Sequence, residues 1–447
     1  MEMQSQMAKI PKGAQAINVG GLARPKGRNV RWLIVAIVTL LTLTNYLDRG
    51  NLSIAAPLIM KDLHISATMM GVILSAFVWP YAFMSLPTGW AIDRFGARLL
   101  MSIAAGLWSI VAIATGFARS VQTFILLRMC LGISEAPLFP AAIKATNAWF
   151  PDHEKALASS IYLSASQFGL AVAPPIATLL MVGYGWQAMF MIMGAFGFVA
   201  LLGWLVLYRE PEQHPWLHKS ELAYIRAGQS VRLAAEQSAQ VEDKANWFAL
   251  FAYPTTWIMM IGGFCLQYVL WFYISWLPTY LQQAQGFAIN RVGWIAAIPY
   301  IAGGIAVIIG GKLSDVLVRR SFAPLLARRI MLSVSAVLTG LSMFATALCT
   351  TPTMAVVMLT VGMFAYSLSS ANYWTLAAEA VTTKRMVASL AGIQNFGGFL
   401  GGGCAPILTG VAVDHFGGFI AALILAGCLA FVSAIMYGLV LRKKIPV

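Results

Sequence analysis

Residues 89–98 read GWAIDRFGAR, and residues 311–320 read GKLSDVLVRR. Each copy has a glycine, an acid four residues later, and an arginine four or five residues after the acid. The two acids, Asp93 and Asp315, are separated by about half the length of the chain. Both copies lie in short polar gaps between long apolar stretches. Such a repeat in an apolar chain predicts two similar helix bundles in a membrane, an arrangement typical of transporters.

The composition is that of an integral membrane protein. Hydrophobic residues make up 59% of the chain and charged residues 10%, against roughly 25% charged in soluble domains. A membrane-spanning helix needs about 20 mostly apolar residues. Twelve windows of this kind lie at about 32–58, 67–88, 99–117, 121–148, 156–180, 186–208, 254–281, 290–311, 328–349, 353–378, 386–412 and 418–441. We therefore expect an all-α integral membrane protein with twelve transmembrane helices in two six-helix bundles.

Basic residues predict the orientation in the lipid bilayer, because Lys and Arg stay on the cytoplasmic side. The stretch before the first window is rich in both, with Lys9, Lys12, Arg24, Lys26, Arg28 and Arg31, and residues 442–444 read RKK. The gaps on the opposite side hold only Lys61, Arg119 and Arg291. Both ends are therefore predicted to be cytoplasmic. The net charge of +14 reflects this topology, and nothing in it suggests a nucleic-acid partner.

The same reading divides the chain into five segments. The first 31 residues lack the apolar core of a cleaved signal peptide and are expected to be a cytoplasmic tail. The long polar break contains a stretch with helical spacing, Ser220–Gln240, which could be a surface helix. The predicted segments are the tail 1–31, the N-terminal bundle 32–208, the cytoplasmic linker 209–250, the C-terminal bundle 251–441 and the cytoplasmic tail 442–447.

Four charged side chains fall well inside apolar windows: Asp48 and Arg49 in the first, and Arg128 and Glu135 in the fourth. A charge at mid-membrane costs roughly 2.5–3.5 kcal/mol on insertion scales, so these side chains should point into the bundle, towards a water-filled chamber between the halves. One interpretation is an ion-pair network that only joins two helices. Because buried ion pairs are weak stabilisers, we favour a transport site in which the acids bind protons and the arginines bind an anion.

Coupling between the two ligands follows from the order of the residues. Asp48 is adjacent to Arg49, so an anion bound at Arg49 would remove the counter-ion of Asp48 and favour its protonation. Further candidates are polar and aromatic residues deep in the windows, each of which could equally serve helix–helix contact. They are Tyr46, Tyr81, Gln167, Gln267, Trp271, Ser370, Asn372, Trp374, Gln394 and Asn395. All five histidines fall in the gaps, and no metal or other cofactor is expected.

The repeated motif suggests a gate as well as a turn. Asp93 could pair with Arg94, Arg98 or a neighbouring helix end and so join helices at the cytoplasmic face. Asp315, with Arg319 and Arg320, would do the same in the second half. The alternative is a tight turn that only fixes topology. Lys144 and Glu379, near cytoplasmic helix ends, are expected to be interfacial.

The chain resembles the major facilitator superfamily through its duplicated loop motif. More narrowly, NYLDRGNLS at 45–53, the run from Arg128 to Pro140 and WFP at 149–151 resemble the anion:cation symporter family, and within it bacterial proton-coupled sugar-acid transporters. The resemblance implies that Asp48 and Glu135 are protonation sites, that Arg49 binds the substrate carboxylate and that Arg128 tunes Asp48. It also implies a substrate site lined by Tyr46, Tyr81, Gln167, Trp374 and Asn395. The seventh helix, at Gln267, and the tenth, at Ala371-Asn372-Tyr373 before Trp374, depart from the family pattern.

We therefore expect a proton-coupled symporter of a small organic anion, and favour a sugar acid such as a hexonate, hexarate or hexuronate. It would act as a monomer in the bacterial inner membrane, without a cofactor other than the coupling protons. An aromatic carboxylate as substrate, and a proton-independent exchanger or facilitator, stay open as alternatives. A membrane enzyme is disfavoured because no catalytic motif is present, and a primary pump because there is no phosphate-binding GxxxxGK[ST] loop.

Overall fold

The computed structural model describes residues 29–229, 247–382, 386–442 and 444–446. The first half of the chain forms seven helices. They are α1 (Val30–Leu63), α2 (Ala67–Ser75), α3 (Val78–Phe95), α4 (Ala97–Thr115), α5 (Val121–Glu135), α6 (Leu138–Trp149) and α7 (Asp152–Leu207). Residues 1–28, with most of the predicted N-terminal basic residues, lie outside the described part of the chain.

A short helix, α8 (Lys219–Ala227), follows the first half, and seven more helices form the second half. These are α9 (Pro254–Thr279), α10 (Ile289–Arg319), α11 (Pro324–Ala347), α12 (Pro352–Leu368), α13 (Ser370–Ala380), α14 (Val387–His415) and α15 (Phe419–Ile435). Short 3-10 or π-helical turns occur at Pro211–Gln213, Trp247–Ala252, Tyr280–Ala284 and Met436–Val440. Within the described residues, β-structure is limited to one isolated bridge between Val381 and Ile445.

Eleven helical segments in the described ranges are long and apolar enough to cross a membrane. One of them, α7, has 56 residues and contains Gly185 with a non-helical φ of 84°. This glycine falls between the fifth and sixth predicted windows, so α7 comprises two crossing helices joined at a kink. The prediction of an all-α protein with twelve spans in two bundles is confirmed. The division at residues 209–250 and the cytoplasmic location of both ends stay predictions.

Three predicted spans are each broken into two helices, and proline explains two of the breaks. Proline has no backbone N–H and its ring clashes with the carbonyl four residues earlier. Pro80 thus accompanies the break at Ala76–Phe77, between α2 and α3. Pro137 lies in the break between α5 and α6, so that Glu135 is the last residue of α5. The break in the fourth span therefore falls at one of the predicted acids.

The two halves pack tightly at the face where α2 begins and α14 ends. Gly71 and Gly410 lie so close to the backbone of Pro406 and Ala67, respectively, that neither has room for a Cβ atom. Asp414, at the end of α14, accepts hydrogen bonds from the backbone N–H groups of Ala67 (3.2 Å) and Thr68 (2.7 Å). We call this end of the molecule the packed face.

The opposite end, which carries Asp93 and Asp315, is called the loop face. Near it, Gly89 of α3 and Gly392 of α14 face open space, since a Cβ at either would meet nothing within 4 Å. The same two helices are in direct contact nearer the packed face, where the rings of Tyr81 and Phe399 have centroids 5.4 Å apart. The contact between the halves is thus concentrated towards the packed face.

The helix α8 docks onto the first half. Glu221 accepts hydrogen bonds from the N–H of Val30 (3.1 Å) and from the guanidinium of Arg31 (2.8 Å), and Arg31 also pairs with Glu154 at 2.8 Å. These bonds satisfy donors at the first turn of α1, which would otherwise be unpaired. The predicted surface helix Ser220–Gln240 is thus seen in part, over Lys219–Ala227, and residues 230–246 lie outside the described ranges.

Candidate functional site

The four charges predicted to turn inward all lie inside the first bundle. Arg49 of α1 donates from Nε to Oε2 of Glu135 of α5 at 2.9 Å, and their side chains are 7% and 0% exposed. Asp48 and Arg128 are buried as well. None of the four faces lipid, as expected from the cost of a charge in hydrocarbon.

Aromatic rings surround the guanidinium of Arg49. Its Cζ lies 4.6 Å from the ring centroid of Tyr46, 4.7 Å from that of Tyr81 and 5.1 Å from that of Phe77. Cation–π contacts of this kind stabilise a desolvated guanidinium by up to about 2 kcal/mol. Tyr46 and Tyr81 were candidates from the sequence, whereas Phe77 was not, since a phenylalanine in an apolar window carries no distinguishing signal.

A second set of contacts holds the other acid. Nη2 of Arg128 donates to Oδ1 of Asn51 at 3.3 Å, and Nδ2 of Asn51 donates to Oδ1 of Asp48 at 3.4 Å. The sequence suggested that Asp48 depends on Arg49. Instead, Arg49 bonds to Glu135, because α1 turns two adjacent residues about 100° apart and presents them to different neighbours. The ion-pair partner of Arg49 is therefore Glu135, and the contact with Asp48 on which that hypothesis rests is not seen among the described residues.

The arginines, rather than the acids, reach the boundary between the halves. Arg49 and Arg128 line a small cavity opposite Trp271 and Ser275 of α9. Asp48 and Glu135 do not line this cavity and lie behind the arginines. Nη2 of Arg49 and Nε of Arg128 have no hydrogen-bond partner among the described residues. Two guanidinium groups with unused donors thus border the interface, which suits them to bind an anion.

The predicted substrate residues of the second half are uncharged. Tyr366 donates to Oε1 of Gln267 at 2.6 Å, and Gln394 donates to the carbonyl of Tyr373 at 2.8 Å. Trp374 is 59% exposed and has its ring 5.4 Å from that of Tyr373. These residues offer amide, hydroxyl and aromatic groups, the types that bind a polyhydroxylated solute.

Three further candidates are partly buried: Gln167 on α7, Ser370 on α13 and Asn395 on α14. Their side chains have no hydrogen-bond partner in the described ranges. The contact of Gln267 with Tyr366 was not foreseen, because the two residues lie 99 positions apart on different helices.

The two copies of the loop motif differ. Asp93 pairs with Lys144 at 3.3 Å, and Lys144 also donates to the carbonyl of Ile92 at 2.8 Å, so it caps the end of α3. Arg98 donates to the carbonyl of Leu205 at 3.0 Å. Arg94 lies 5.5 Å from the ring of Trp90. Of the predicted partners of Asp93, the two arginines are directed elsewhere, and Asp93 pairs with Lys144 of the neighbouring helix α6.

In the second copy, Asp315, Arg319 and Arg320 are exposed and form no ion pair within the part of the chain that the structure describes. Arg328 instead joins the helices at this position. It donates to Ser314 at 2.6 Å and to Asn372 at 3.1 Å.

Comparison with known proteins agrees with this architecture. The chain is 35% identical to the probable L-galactonate transporter of Escherichia coli (strain K12), over 90% of this chain and 87% of that protein. It is 33% identical to the probable galactarate/D-glucarate transporter GarP of Escherichia coli (strain K12), over 93% and 95% of the two chains.

Solved structures match in fold. A bacterial homologue of the human lysosomal transporter Spinster, in an inward-facing conformation, gives a TM-score of 0.75 at 18% identity, over 92% of this chain and 97% of that one. A D-xylose–proton symporter gives 0.72 at 16% identity, over 93% and 99%. The sequence profile of the Major Facilitator Superfamily matches residues 38–403. The chain is therefore a multi-pass membrane transporter, not an enzyme, and belongs to the Major Facilitator Superfamily.

Proposed function

We propose that this protein imports a sugar acid together with protons, by alternating access between its two halves. The observation that carries the proposal is the buried ion pair between Arg49 and Glu135, in which the arginine reaches the boundary between the halves and the acid does not. The relatives named for galactonate, galactarate and D-glucarate transport support a sugar acid as the substrate. The uncharged groups of the second half would bind its hydroxyls.

The ion pair supplies a physical route to coupling. A substrate carboxylate that binds Arg49 competes with Glu135 for the same guanidinium. Glu135 would then be a fully buried charge without a counter-ion, which costs several kcal/mol. A proton on Glu135 removes that cost, so the anion and the proton bind more tightly together than separately. The complex can then change conformation with its charges neutralised.

The location follows from the same proposal. The distribution of Lys and Arg over the gaps supports cytoplasmic ends, and the bacterial relatives support the inner membrane. The loop face would then be cytoplasmic and the packed face external. We further propose that one chain suffices for transport, because both walls of the site come from the same chain.

Uptake into proteoliposomes tests the function. Purified protein is reconstituted, an inward proton gradient is imposed, and accumulation of labelled galactonate, galactarate and glucarate is measured. We expect accumulation of at least one sugar acid above the external concentration, which disappears when an ionophore collapses the gradient. Accumulation that persists without the gradient would indicate an exchanger or facilitator.

The variant Glu135→Gln separates coupling from binding. The amide mimics a protonated carboxyl, so counterflow exchange should persist while gradient-driven accumulation is lost. Ser134→Ala is the matched control, because Ser134 is buried beside Glu135 and, among the described residues, its hydroxyl bonds only to the carbonyl of Leu131. Normal accumulation by the Glu135→Gln variant would remove Glu135 from the mechanism.

A further inference from the structure

Asn51 occupies an unusual position between two charged groups. It lies one helical turn after Asp48 on α1 and is 1% exposed. Its carbonyl oxygen accepts from Arg128 at 3.3 Å, and its amide nitrogen donates to Asp48 at 3.4 Å. The amide is thus a two-sided bridge between a guanidinium and a carboxyl group.

The bridge makes the two acids of the site unlike each other. Glu135 has a guanidinium in contact, whereas Asp48 has a neutral amide. Within the described residues, no nitrogen of Arg128 lies within 4 Å of an Asp48 carboxylate oxygen. Oδ2 of Asp48 and Nε of Arg128 also have no partner there. The amide of Asn51 therefore connects Asp48 and Arg128, which interact electrostatically without direct contact.

The charged groups around Asp48 are few. Arg49 is adjacent on α1 but bonds to Glu135, and α5 contributes Arg128 and Glu135. The neighbour that α7 places beside Arg128 is the ring of Phe190, 5.8 Å from its Cζ. The distance between Arg128 and Asp48 is therefore a main variable in the electrostatics of this acid, because the energy of a charge pair falls with separation and rises as water is excluded.

We infer that Asn51 is a positioning residue for proton coupling, which keeps Arg128 out of direct contact with Asp48 so that Asp48 can exchange its proton during transport. The inference rests on the proposed function and deepens it. Without the amide, the two partners that it now satisfies would meet each other. A direct ion pair would hold Asp48 ionised over a wider pH range. An opposite charge in contact generally lowers the pKa of a carboxyl group by about 1–3 units.

The test is the pH profile of gradient-driven uptake in the full-length protein. In Asn51→Leu the bridge is lost while the branched shape of the side chain is kept. We expect the external pH of half-maximal uptake to move about one unit towards acid, with counterflow exchange at neutral pH within about twofold of wild type. Asn51→Gln, which keeps the amide, should restore the wild-type profile. Ser53→Ala is the control, because Ser53 is buried on the same helix and bonds only to the carbonyl of Gly50.

A second variant gives the opposite sign. In Asn51→Asp the new carboxylate would bind Arg128 itself and stand beside Asp48, so half-maximal uptake should move towards alkaline pH. This variant also decides the question if the leucine variant does not fold. An unchanged profile in Asn51→Leu or Asn51→Asp, or the same shift in Ser53→Ala, overturns the inference. If wild type shows no gradient-driven uptake, the proposed function fails instead, so the two failures are distinguishable.

Discussion

The two walls of the site differ in chemistry although the two halves share one fold. The first half contributes four buried charges, of which Arg49 and Glu135 form an ion pair. The candidate residues of the second half are neutral, such as Gln267, which is bonded to Tyr366. Duplication thus supplied the scaffold, and the two copies diverged in side chains. We infer that charge and proton are handled by one half, and the shape and hydroxyls of the substrate by the other.

The loop face shows the same divergence. Asp93 is 81% exposed but still pairs with Lys144, whereas Asp315 has no ion-pair partner among the described residues. The repeat therefore preserves the residue types better than their contacts. Two copies of one motif can therefore differ in function, and substitutions in each half can measure that difference.

The largest effect is expected from the charged half. Arg49→Ala removes the anion-binding group and leaves Glu135 buried without its counter-ion, a change that costs roughly 3–5 kcal/mol. Binding of sugar acids, measured by calorimetry on purified protein, should weaken at least about a hundredfold. Arg119→Ala is the control, because Arg119 donates to the carbonyl of Ala118, lies 5.9 Å from the ring of Trp186 and does not line the cavity that Arg49 borders. Retained affinity in Arg49→Ala would move the anion site elsewhere.

The second effect compares the two loop copies directly. Asp93→Asn weakens the contact with Lys144 that caps α3, and should lower the initial rate of uptake about fivefold. Asp315→Asn removes no ion pair seen in the structure and should change the rate less than twofold. Both are measured in proteoliposomes at matched protein density. Equal losses would show that the two copies act alike and that the difference between them has no functional weight.

The third effect concerns the contact that joins the halves. Asp414→Ala removes the acceptor for two N–H groups at the start of α2, a loss of about 1 kcal/mol. The fraction of molecules in which the two halves are separated at the packed face should rise about fivefold. Double electron–electron resonance between spin labels at positions 61 and 291 measures the distance between the halves at the packed face. Asp62→Asn is the control, because Asp62 accepts a hydrogen bond from Trp186 of the same half. An equal change of the distance in the Asp62→Asn variant would show that Asp414 has no special role in holding the halves together.

The smallest effect is expected from the uncharged candidate residues of the second half. Tyr366→Phe removes one hydrogen bond to Gln267, worth about 1 kcal/mol. The KM for sugar acids should change about two- to fivefold, while the pH profile of uptake stays at its wild-type position. A displaced pH profile would show that the second half also takes part in proton coupling.

The sequence predicted the fold and the inward turn of the four charges for a clear reason. A charge exposed to hydrocarbon is costly, so a charged side chain inside an apolar window must point into the protein. The partners could not be predicted in the same way. Helical periodicity places Asp48 and Arg49 on α1, but only the neighbouring helices decide that Arg49 meets Glu135.

The residues that the sequence did not reveal share one property. Phe77 and Tyr366 have side chains common in membrane helices, and Asn51 is one of several amides in the apolar windows. The roles of all three come from what another helix places beside them. Lys144 was visible, but its partner Asp93 is 51 residues away along the chain. Contacts between distant segments leave no mark in a single sequence, whereas proline and glycine act locally, as at Pro137 and Gly185.

The glycines at the packed face bear on the energetics of the cell. Gly71 against Pro406 and Gly410 against Ala67 bring bare backbones together, with no side chain between them. Main chain in direct contact excludes a continuous file of water, along which hydrogen ions would otherwise run down their gradient. The two glycines would thus limit the leak of hydrogen ions through the protein while no substrate is bound.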